Sequence, residues 1–262
     1  MARSETRWAL ITGASSGLGV ELATALAARK VNLILVARRE LPMQQLAVQL
    51  RQRHGVDVVV EVIDLAQADS ATALLRRLDE RKIETDILIN NAAFGLSSAF
   101  IDQDPDRLRA MLQLDVMTLT ELAQIFGRRM FDRGYGHILL VASMAAYQPT
   151  PILAAYGAAK AFVLSLGEAL HVELAPKVGV TVLSPGFMDT GFAEVSGFRA
   201  SASVRRTMLP PAKVAAIGLD AMFAGRPSII AGRLNRFMAF ATRFMSRHFL
   251  AGYVLRTSKS GQ

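Results

Sequence analysis

The stretch that decides the fold reads Thr12-Gly13-Ala14-Ser15-Ser16-Gly17-Leu18-Gly19. It lies between an apolar run typical of a buried strand, Trp8–Thr12, and a helical pattern over Gly17–Ala28. The glycines allow a tight turn and a close backbone approach to a pyrophosphate, which the free N–H groups of the helix N-terminus favour. The stretch therefore predicts a dinucleotide site. The expected contacts are Gly13, Ser15, Ser16, Gly17, Leu18 and Gly19.

The same letters from Gly13 to Gly17 also match G-x-S-x-G, the turn that carries the nucleophile of many serine hydrolases. Such a turn normally comes after several strands, and an acid and then a histidine follow it. Here it would follow the first strand. His137 or His171 comes later in the chain, but no paired acid stands out. We therefore prefer the dinucleotide interpretation.

Apolar runs alternate with helical stretches over the rest of the chain. Several runs are continuously apolar, as in Leu33–Val36 and Ile138–Val141, which is typical of strands buried on both faces of a parallel sheet. With right-handed crossovers, this order predicts an α/β fold, a doubly wound Rossmann-type sheet of about seven strands with helices on both faces. The predicted strands are Trp8–Thr12, Asn32–Ala37, Asp57–Ile63, Ile87–Asn90, His137–Ala142, Val180–Ser184 and Ser228–Ala231. The predicted helices are Gly17–Ala28, Pro42–His54, Asp69–Lys82, Pro105–Phe131, Ala154–Leu174 and Pro211–Ala224.

No linker or internal repeat divides the 262 residues, so a single domain over 1–262 is predicted. Residues 187–209 show no clear period and are predicted to form a long loop, and loops of this length in a compact domain are usually functional or mobile. The loop is rich in Phe, Met and Leu, which favours an apolar or amphipathic substrate. No apolar run is long enough to cross a bilayer, and the polar start leaves no room for a signal peptide. With no cysteine, we expect a cytoplasmic protein.

The end of the second predicted strand indicates which coenzyme is preferred. Ala37 stands where an NAD site usually carries an acid that binds the ribose 2′-hydroxyl, and Arg38 and Arg39 follow it. Guanidinium groups pair well with phosphate. The sequence therefore predicts NADP(H) rather than NAD(H), although two solvated surface arginines would give the same letters.

Tyr156 and Lys160 lie four residues apart and so on one helix face, and Ser143 ends the preceding strand. Reduction of a carbonyl needs a hydride for carbon and a proton for oxygen. Free tyrosine has a pKa of about 10, which is too high for efficient proton exchange at neutral pH. An ammonium about 4 Å away could favour the phenolate by up to roughly 4 kcal/mol, or about three pKa units. We therefore expect Lys160 to lower the pKa of Tyr156, and Ser143 to hold the substrate oxygen.

Taken together, these residues resemble the short-chain dehydrogenase/reductase family over roughly residues 6–195. The resemblance rests on Thr12-Gly13-x-x-x-Gly17-x-Gly19, Asp64-Leu65, Asn90-Asn91-Ala92-Ala93, Ser143, Tyr156-x-x-x-Lys160 and Pro185-Gly186-x-x-x-Thr190. It implies that Tyr156 is the general acid/base, that Lys160 also binds the nicotinamide ribose, and that Ser143 orients the substrate. It further implies coenzyme contacts from Asp64, Leu65, Asn91, Ala92, Pro185, Gly186, Met188 and Thr190. A homodimer or homotetramer is implied as well, and so is a substrate loop from Phe187 to about Leu209.

Two positions depart from the family pattern. Ala93 replaces a glycine, which is a small change. Asp115 stands where the family has an Asn that helps position a water in the proton relay behind the lysine. A carboxylate near Lys160 would counter the effect of that lysine on Tyr156. We therefore count Asp115 among the candidate catalytic residues and expect Asp115→Asn to be active.

The net charge of +8 is concentrated at the C-terminus. Residues 199–262 hold 11 Lys/Arg and one acid, Asp220, whereas residues 1–198 carry a net −2. The near-neutral body argues against nucleic-acid binding, and the four scattered histidines predict no metal site. Residues 233–250 read as a basic amphipathic helix with an apolar stripe. Docking on its own or a partner subunit is preferred, with a substrate lid or peripheral membrane contact as alternatives.

Three functions remain open from the sequence. The leading one is an NADP-dependent carbonyl reductase or alcohol dehydrogenase. A narrower alternative is a reductase of 3-oxoacyl thioesters, whose acidic carrier the basic C-terminus could meet. An alternative of another class is a non-catalytic NADP-binding regulator, against which the complete set of Ser143, Tyr156 and Lys160 argues.

Overall fold

A seven-stranded, all-parallel sheet with the order β3-β2-β1-β4-β5-β6-β7 forms the centre of the protein. The structure is a computed structural model that describes residues 7–188 and 208–259, with side chains as far as residue 256. The strands are β1 Trp8–Thr12, β2 Asn32–Ala37, β3 Val58–Val62, β4 Ile87–Asn90, β5 Gly136–Val141, β6 Val178–Ser184 and β7 Ser228–Ile230. The predicted fold class is confirmed.

Helices cover both faces of the sheet. In the described part of the chain they are α1 Gly17–Ala27, α2 Glu40–His54, α3 Ser70–Glu80, α4 Pro105–Leu112, α5 Leu119–Arg133, α6 Ala154–Glu173, α7 Pro211–Phe223, α8 Arg233–Ala241 and α9 Arg247–Lys259. Most predicted ends lie within a few residues of these. The prediction of one helix over Pro105–Phe131 was wrong, because a π-helical turn, Gln113–Thr118, separates α4 from α5. Such widened turns often occur at functional sites, and this one buries Asp115.

The two faces of the sheet bury separate apolar cores. On β2, Leu33 and Leu35 point to the core shared with α1, α2 and α7, while Ile34 and Val36 point to the core shared with α3, α5 and α6. This alternation explains why the strands read as continuous apolar runs. Burying each such side chain stabilises the fold by about 1.5–3 kcal/mol.

The strand order reverses between β1 and β4, which opens a crevice at the carboxyl ends of the strands. Because every strand is parallel, all carboxyl ends lie at the same edge of the sheet. The glycine turn follows β1, Asn91 follows β4, Ser143 lies just beyond β5, and Pro185 follows β6. The topology thus brings together four motifs that are far apart in sequence.

The C-terminal segment differs from its prediction. Instead of one helix over 233–250, α8 ends at Ala241, a 3₁₀ turn covers Thr242–Phe244, and α9 begins at Arg247. Met245 is extended, and the Ser246 hydroxyl accepts a hydrogen bond from the N–H of Phe249, so a new N-cap interrupts the helix. The predicted apolar stripe is not docked on its own subunit, because its large side chains are exposed.

Within residues 7–188 and 208–259, no helix is both long and apolar enough to cross a membrane. The predicted substrate loop, 187–209, falls for the most part outside the described residues, and Thr190 lies outside them too.

Candidate active site

The glycine positions of the turn after β1 do not suit larger residues. Gly13 and Gly17 have φ angles of 70° and 56°, in the left-handed region where other residues are strained. A Cβ on Gly19 would overlap the carbonyl of Gly13. Leu18 is buried in the core, so its backbone rather than its side chain is offered to the crevice.

The N-terminus of α1 fits an anion. Its N-cap, Ser16, makes no side-chain capping bond, and the first turn carries no acid. Several N–H groups of this turn are therefore available, together with the positive end of the helix dipole. This arrangement and the close backbone approach that the glycines allow fit the pyrophosphate of a dinucleotide.

Arg39, rather than Arg38, lies over the glycine turn. Its guanidinium donates hydrogen bonds to the hydroxyls of Ser15, at 3.1 Å, and Ser16, at 2.8 Å. Arg38 is exposed, and in the described part of the chain its side chain forms no hydrogen bond with the turn. Of the two predicted arginines, the structure thus places one beside the coenzyme crevice. Ala37, the last residue of β2, itself supplies no carboxylate at this position.

Thr12 fixes the turn to the neighbouring strand, a role that the sequence analysis did not assign. Its hydroxyl accepts hydrogen bonds from the N–H groups of Asn91 and Ala92, both at 2.9 Å. The Asn91 amide donates in turn to the carbonyl of Thr12 at 2.9 Å. These hydrogen bonds therefore fix Asn91 and Ala92 at the base of the crevice. The sequence signal that could have predicted this role was a threonine at the end of the strand that precedes the turn.

Asp64 and Leu65 follow β3 at the same edge of the sheet. The Asp64 carboxylate accepts a hydrogen bond from the N–H of Ala66 at 3.0 Å and stays partly exposed, while Leu65 is buried in the core. Asp64 is thus positioned by its own turn at the carboxyl edge of the sheet, where it stays partly exposed.

The structure brings Ser143, Tyr156 and Lys160 together. Ser143 accepts a hydrogen bond from the N–H of Ala145, which begins a 3₁₀ turn, and it is hydrogen-bonded to Tyr156 on α6. Lys160 lies one helical turn later, with its Nζ 5.6 Å from the centre of the Tyr156 ring and 3.2 Å from the carbonyl of Val141. Tyr156 and Lys160 are both buried.

Asp115 is paired with this lysine. Its Oδ2 lies 3.5 Å from Lys160 Nζ, and its Oδ1 accepts a hydrogen bond from the N–H of Phe94 at 3.2 Å. The carboxyl group is fully buried, and burial raises its pKa to about 6 against the opposing effect of Lys160. The π-helical turn therefore delivers a second titratable group to the site.

The pKa of Tyr156 does not shift in the predicted direction. Burial raises it most, the charge of Asp115 raises it further, and the hydrogen bond with Ser143 lowers it. In the protein without coenzyme, Lys160 does not lower the pKa of Tyr156 as expected. The reason is that the ammonium is paired with Asp115 and the phenol is removed from water.

The segment after β6 borders the same crevice. The Pro185 carbonyl accepts a hydrogen bond from the N–H of Met144 at 2.9 Å, which joins it to the Ser143 turn. Gly186 faces the buried side chain of Asn235 on α8, and a Cβ at Gly186 would overlap that amide. Met188 packs on the core. Asn235 was missed by sequence reasoning because only the tertiary fold brings α8 to this edge.

The hydrolase alternative does not fit this geometry. Ser15 lies at the carboxyl edge of the sheet, whereas His137 is near the amino end of β5. His171 Nδ1 is 2.8 Å from the carbonyl of Val180, near the amino end of β6. Neither ring can therefore serve Ser15 as a base. The described residues also contain no group of three or more His, Cys, Asp or Glu that could hold a metal ion.

Fold and site together define a dinucleotide-binding α/β protein. The family model described as short chain dehydrogenase matches residues 7–197. The chain belongs to the short-chain dehydrogenase family, and a nicotinamide dinucleotide is the coenzyme that this membership supports.

Relatives of this chain include the probable oxidoreductase EphD of Mycobacterium tuberculosis, 32% identical over 192 residues. The match covers 72% of this chain but 32% of EphD, so the chain spans about a third of that relative's length. A very-long-chain 3-oxoacyl-CoA reductase of Phaeosphaeria nodorum is 36% identical over 64% of this chain and 51% of its own.

Two solved structures are similar to this chain over at least 90% of its length. A short-chain dehydrogenase from Sphingobium yanoikuyae in complex with NADPH has a TM-score of 0.81 and 30% identity, covering 90% of this chain and 92% of its own. The bulky-bulky ketone specific alcohol dehydrogenase from Comamonas testosteroni has a TM-score of 0.76 and 30% identity, covering 92% and 94%.

Proposed function

We propose that this oxidoreductase is NADP-dependent and interconverts a carbonyl and an alcohol on an apolar or amphipathic substrate, with Tyr156 as general acid/base. The observation that carries the proposal is the meeting of half-buried Ser143 with buried Tyr156 and Lys160 at the edge of the sheet where the glycine turn lies. A bound nicotinamide supplies or accepts the hydride at the carbonyl carbon.

The side chains supply the proton and the orientation. The Ser143 hydroxyl donates a hydrogen bond to the substrate oxygen and holds it against Tyr156. In reduction, the O–H bond of Tyr156 breaks as its proton passes to that oxygen, and in oxidation the Tyr156 phenolate takes the proton back. Lys160 favours the phenolate by its positive charge. Asp115 opposes this effect, because its carboxylate lies 3.5 Å from Nζ.

The preference for NADP rests on Arg39, with Arg38 as a second candidate. The guanidinium of Arg39 lies at the Ser15 and Ser16 hydroxyls, beside the end of β2, where an NAD site usually has a carboxylate. A ribose 2′-phosphate at this place would meet a positive charge and no negative one. The Sphingobium relative, which binds NADPH, supports this choice.

The substrate class follows from the surroundings of the phenol. Tyr156 is clustered with buried Leu96, Met111 and Leu153, and partly buried Phe94 packs against the same cluster. A substrate that reaches Tyr156 therefore meets an apolar wall, which favours a hydrophobic or amphipathic molecule. The ketone-specific relative of Comamonas supports the same class.

A 3-oxoacyl thioester is the second candidate. The Phaeosphaeria reductase acts on such a thioester, and the C-terminal arginines would suit its phosphate groups. We propose a homodimer or homotetramer in either case.

The experiment is an absorbance screen of NADPH oxidation over ketones, aldehydes, steroids and 3-oxoacyl thioesters, with NADH measured in parallel. The proposal expects turnover of apolar ketones and a preference for NADPH. Turnover of thioesters alone would favour the second candidate, and turnover of small, highly polar sugars alone would contradict the substrate class. NADPH binding without oxidation across the panel would identify a non-catalytic coenzyme-binding regulator.

A further inference from the structure

Residues 233–250, here named the C-terminal lobe, expose an unusual amount of apolar surface. Seven large side chains in this short segment are between 42% and 77% exposed. They are Leu234, Phe237, Met238, Phe240, Phe244, Met245 and Phe249. Single exposed apolar residues are normal on protein surfaces, but a contiguous group of this kind marks a surface that binds something.

The lobe is held in a fixed orientation. Asn235, Ala239 and Leu250 are its buried residues, and Asn235 packs against Gly186 and donates to the carbonyl of Ala231 at 2.7 Å. Helix α8 also contacts the 3₁₀ turn Met144–Tyr147, which follows Ser143. Asn235 and Ala239 of α8 therefore face the protein, while its aromatic residues face outwards, next to the candidate active site.

Positive charge accompanies the exposed aromatic rings. Arg233, Arg236, Arg243 and Arg247 are exposed, and within the described residues none of them forms a salt bridge. The sequence has no acid after Asp220. The lobe thus exposes apolar side chains together with guanidinium groups that form no salt bridge with any described residue.

We propose that the C-terminal lobe is a docking surface for an anionic lipid bilayer. Aromatic and aliphatic side chains insert at the level of the headgroups, and guanidinium groups bind the lipid phosphates. A second copy of the same lobe is a poor occupant, because a two-fold contact would bring four arginines against four with no acid in either lobe. Charge complementarity therefore favours the lipid.

The proposal goes beyond the proposed function, since it assigns a partner to a surface that the chemistry does not use. It has one consequence for that function. A bilayer on the lobe would bring lipid-dissolved molecules close to the 3₁₀ turn that begins at Ser143.

The test is cosedimentation of the full chain with vesicles of equal parts phosphatidylglycerol and phosphatidylcholine, and with phosphatidylcholine vesicles. We expect binding to the anionic vesicles in about 0.05 M NaCl and much weaker binding in about 0.5 M NaCl, because salt screens the arginines. Absence of binding to the anionic vesicles at low salt would overturn the proposal.

Two variants separate the apolar and the charged contributions. Phe240 and Phe244 pack edge to face, 5.3 Å apart between ring centres, and both are more than half exposed. The double variant Phe240→Ser, Phe244→Ser is expected to weaken binding at least about tenfold. The double variant Arg243→Gln, Arg247→Gln is expected to weaken it about 25-fold, at about fivefold for each charge.

The matched control is the double variant Val48→Ser, Arg76→Gln, which removes an exposed apolar and an exposed basic side chain from α2 and α3 at the opposite end of the sheet. It is expected to bind as the wild type does. Circular dichroism checks that each variant is folded. Equal binding by folded wild type and both lobe variants would overturn the proposal. So would a wild-type oligomer that the phenylalanine variant dissociates without any vesicle binding, since the lobe would then bind a second copy.

Discussion

Replacing Asp115 with Asn isolates the effect of one buried charge on the proton-transferring phenol. The amide keeps the size of the carboxyl group and an oxygen that can accept the N–H of Phe94. It removes the negative charge that lies 3.5 Å from Lys160 Nζ. The ammonium is then no longer compensated and acts fully on Tyr156.

The size of the effect follows from the geometry. Nζ lies 5.6 Å from the centre of the Tyr156 ring. At an effective dielectric constant of about 20, two unit charges at this separation interact by about 3 kcal/mol. One pKa unit corresponds to about 1.4 kcal/mol, so loss of the Asp115 charge should lower the pKa of Tyr156 by up to about two units.

The assay is the pH profile of kcat/KM for alcohol oxidation, in which Tyr156 must be deprotonated. We expect the rising limb of the Asp115→Asn profile to move to lower pH, so that oxidation at neutral pH is faster than in the wild type. Asp86→Asn is the control, because Asp86 is also partly buried and lies 3.8 Å from Arg133, but at the amino edge of the sheet. Its profile should not move.

An unchanged profile, or a shift to higher pH, would refute the electrostatic argument. A folded but inactive Asp115→Asn variant would show that the carboxyl group has a role of its own in proton transfer.

Three further predictions concern the coenzyme crevice and stability. Arg39→Asp should lower the NADP/NAD ratio of kcat/KM by about 10–100-fold through loss of charge-assisted hydrogen bonds. An unchanged ratio for Arg38→Asp would reject a role for Arg38 in coenzyme choice. Gly19→Ala should raise the Kd for NADPH at least about tenfold and lower the free energy of unfolding by about 1–3 kcal/mol, because the added Cβ overlaps the turn. Gly252→Ala is the control in the same titration and should leave the Kd unchanged, because Gly252 lies in open space. Equal Kd values for Gly19→Ala and the wild type would contradict the close fit. Burial raises the pKa of Asp115 from 3.8 to about 6, so the contribution of this group to stability is present below about pH 4 and is lost as the pH rises through 6. Relative to Asp115→Asn, the wild type should therefore lose about 3 kcal/mol of unfolding free energy between these limits, as measured by urea titrations. A difference in unfolding free energy between the two proteins that stays constant with pH would contradict the raised pKa.

The sequence predicted the fold well because local patterns and global topology agree. A strand buried on both faces has to be continuously apolar, as Leu33–Val36 shows, and a parallel sheet places every carboxyl end at one edge. Motifs that end strands, such as the glycine turn and Ser143, could therefore be expected to meet. The spacing of Tyr156 and Lys160 on one helix was sufficient to place them together.

Properties that depend on tertiary contacts could not be read in this way. The periodicity of Pro105–Phe131 is helical throughout, and nothing in it signals the wider turn that buries Asp115. Which of two adjacent arginines turns toward Ser15 is a matter of side-chain packing. The apolar stripe of residues 233–250 suggested that this segment docks on its own or a partner subunit through its apolar side chains. In the structure, the Ser246 N-cap divides the segment into two helices, and Asn235 rather than an apolar stripe residue is buried against the protein.

The direction in which the pKa of Tyr156 shifts is the most instructive difference between the sequence prediction and the structure. A cation four residues away predicts a lower pKa when only the pair is considered. In the structure, burial of the phenol and the charge of Asp115 both oppose that effect. The balance among them is set by the packing of α6 against the π-helical turn, which contacts it.

The most direct test of the account is the rate of NADPH-dependent carbonyl reduction by Tyr156→Phe, with Tyr135→Phe as the control. Tyr135 lies just before β5, and its hydroxyl accepts a hydrogen bond from Arg7 on the exposed surface. A folded Tyr156→Phe protein is expected to bind NADPH but to lose turnover by at least about a hundredfold, the contribution of a positioned general acid. Tyr135→Phe is expected to keep wild-type turnover. Wild-type turnover by a folded Tyr156→Phe protein would contradict the central claim that this phenol transfers the proton.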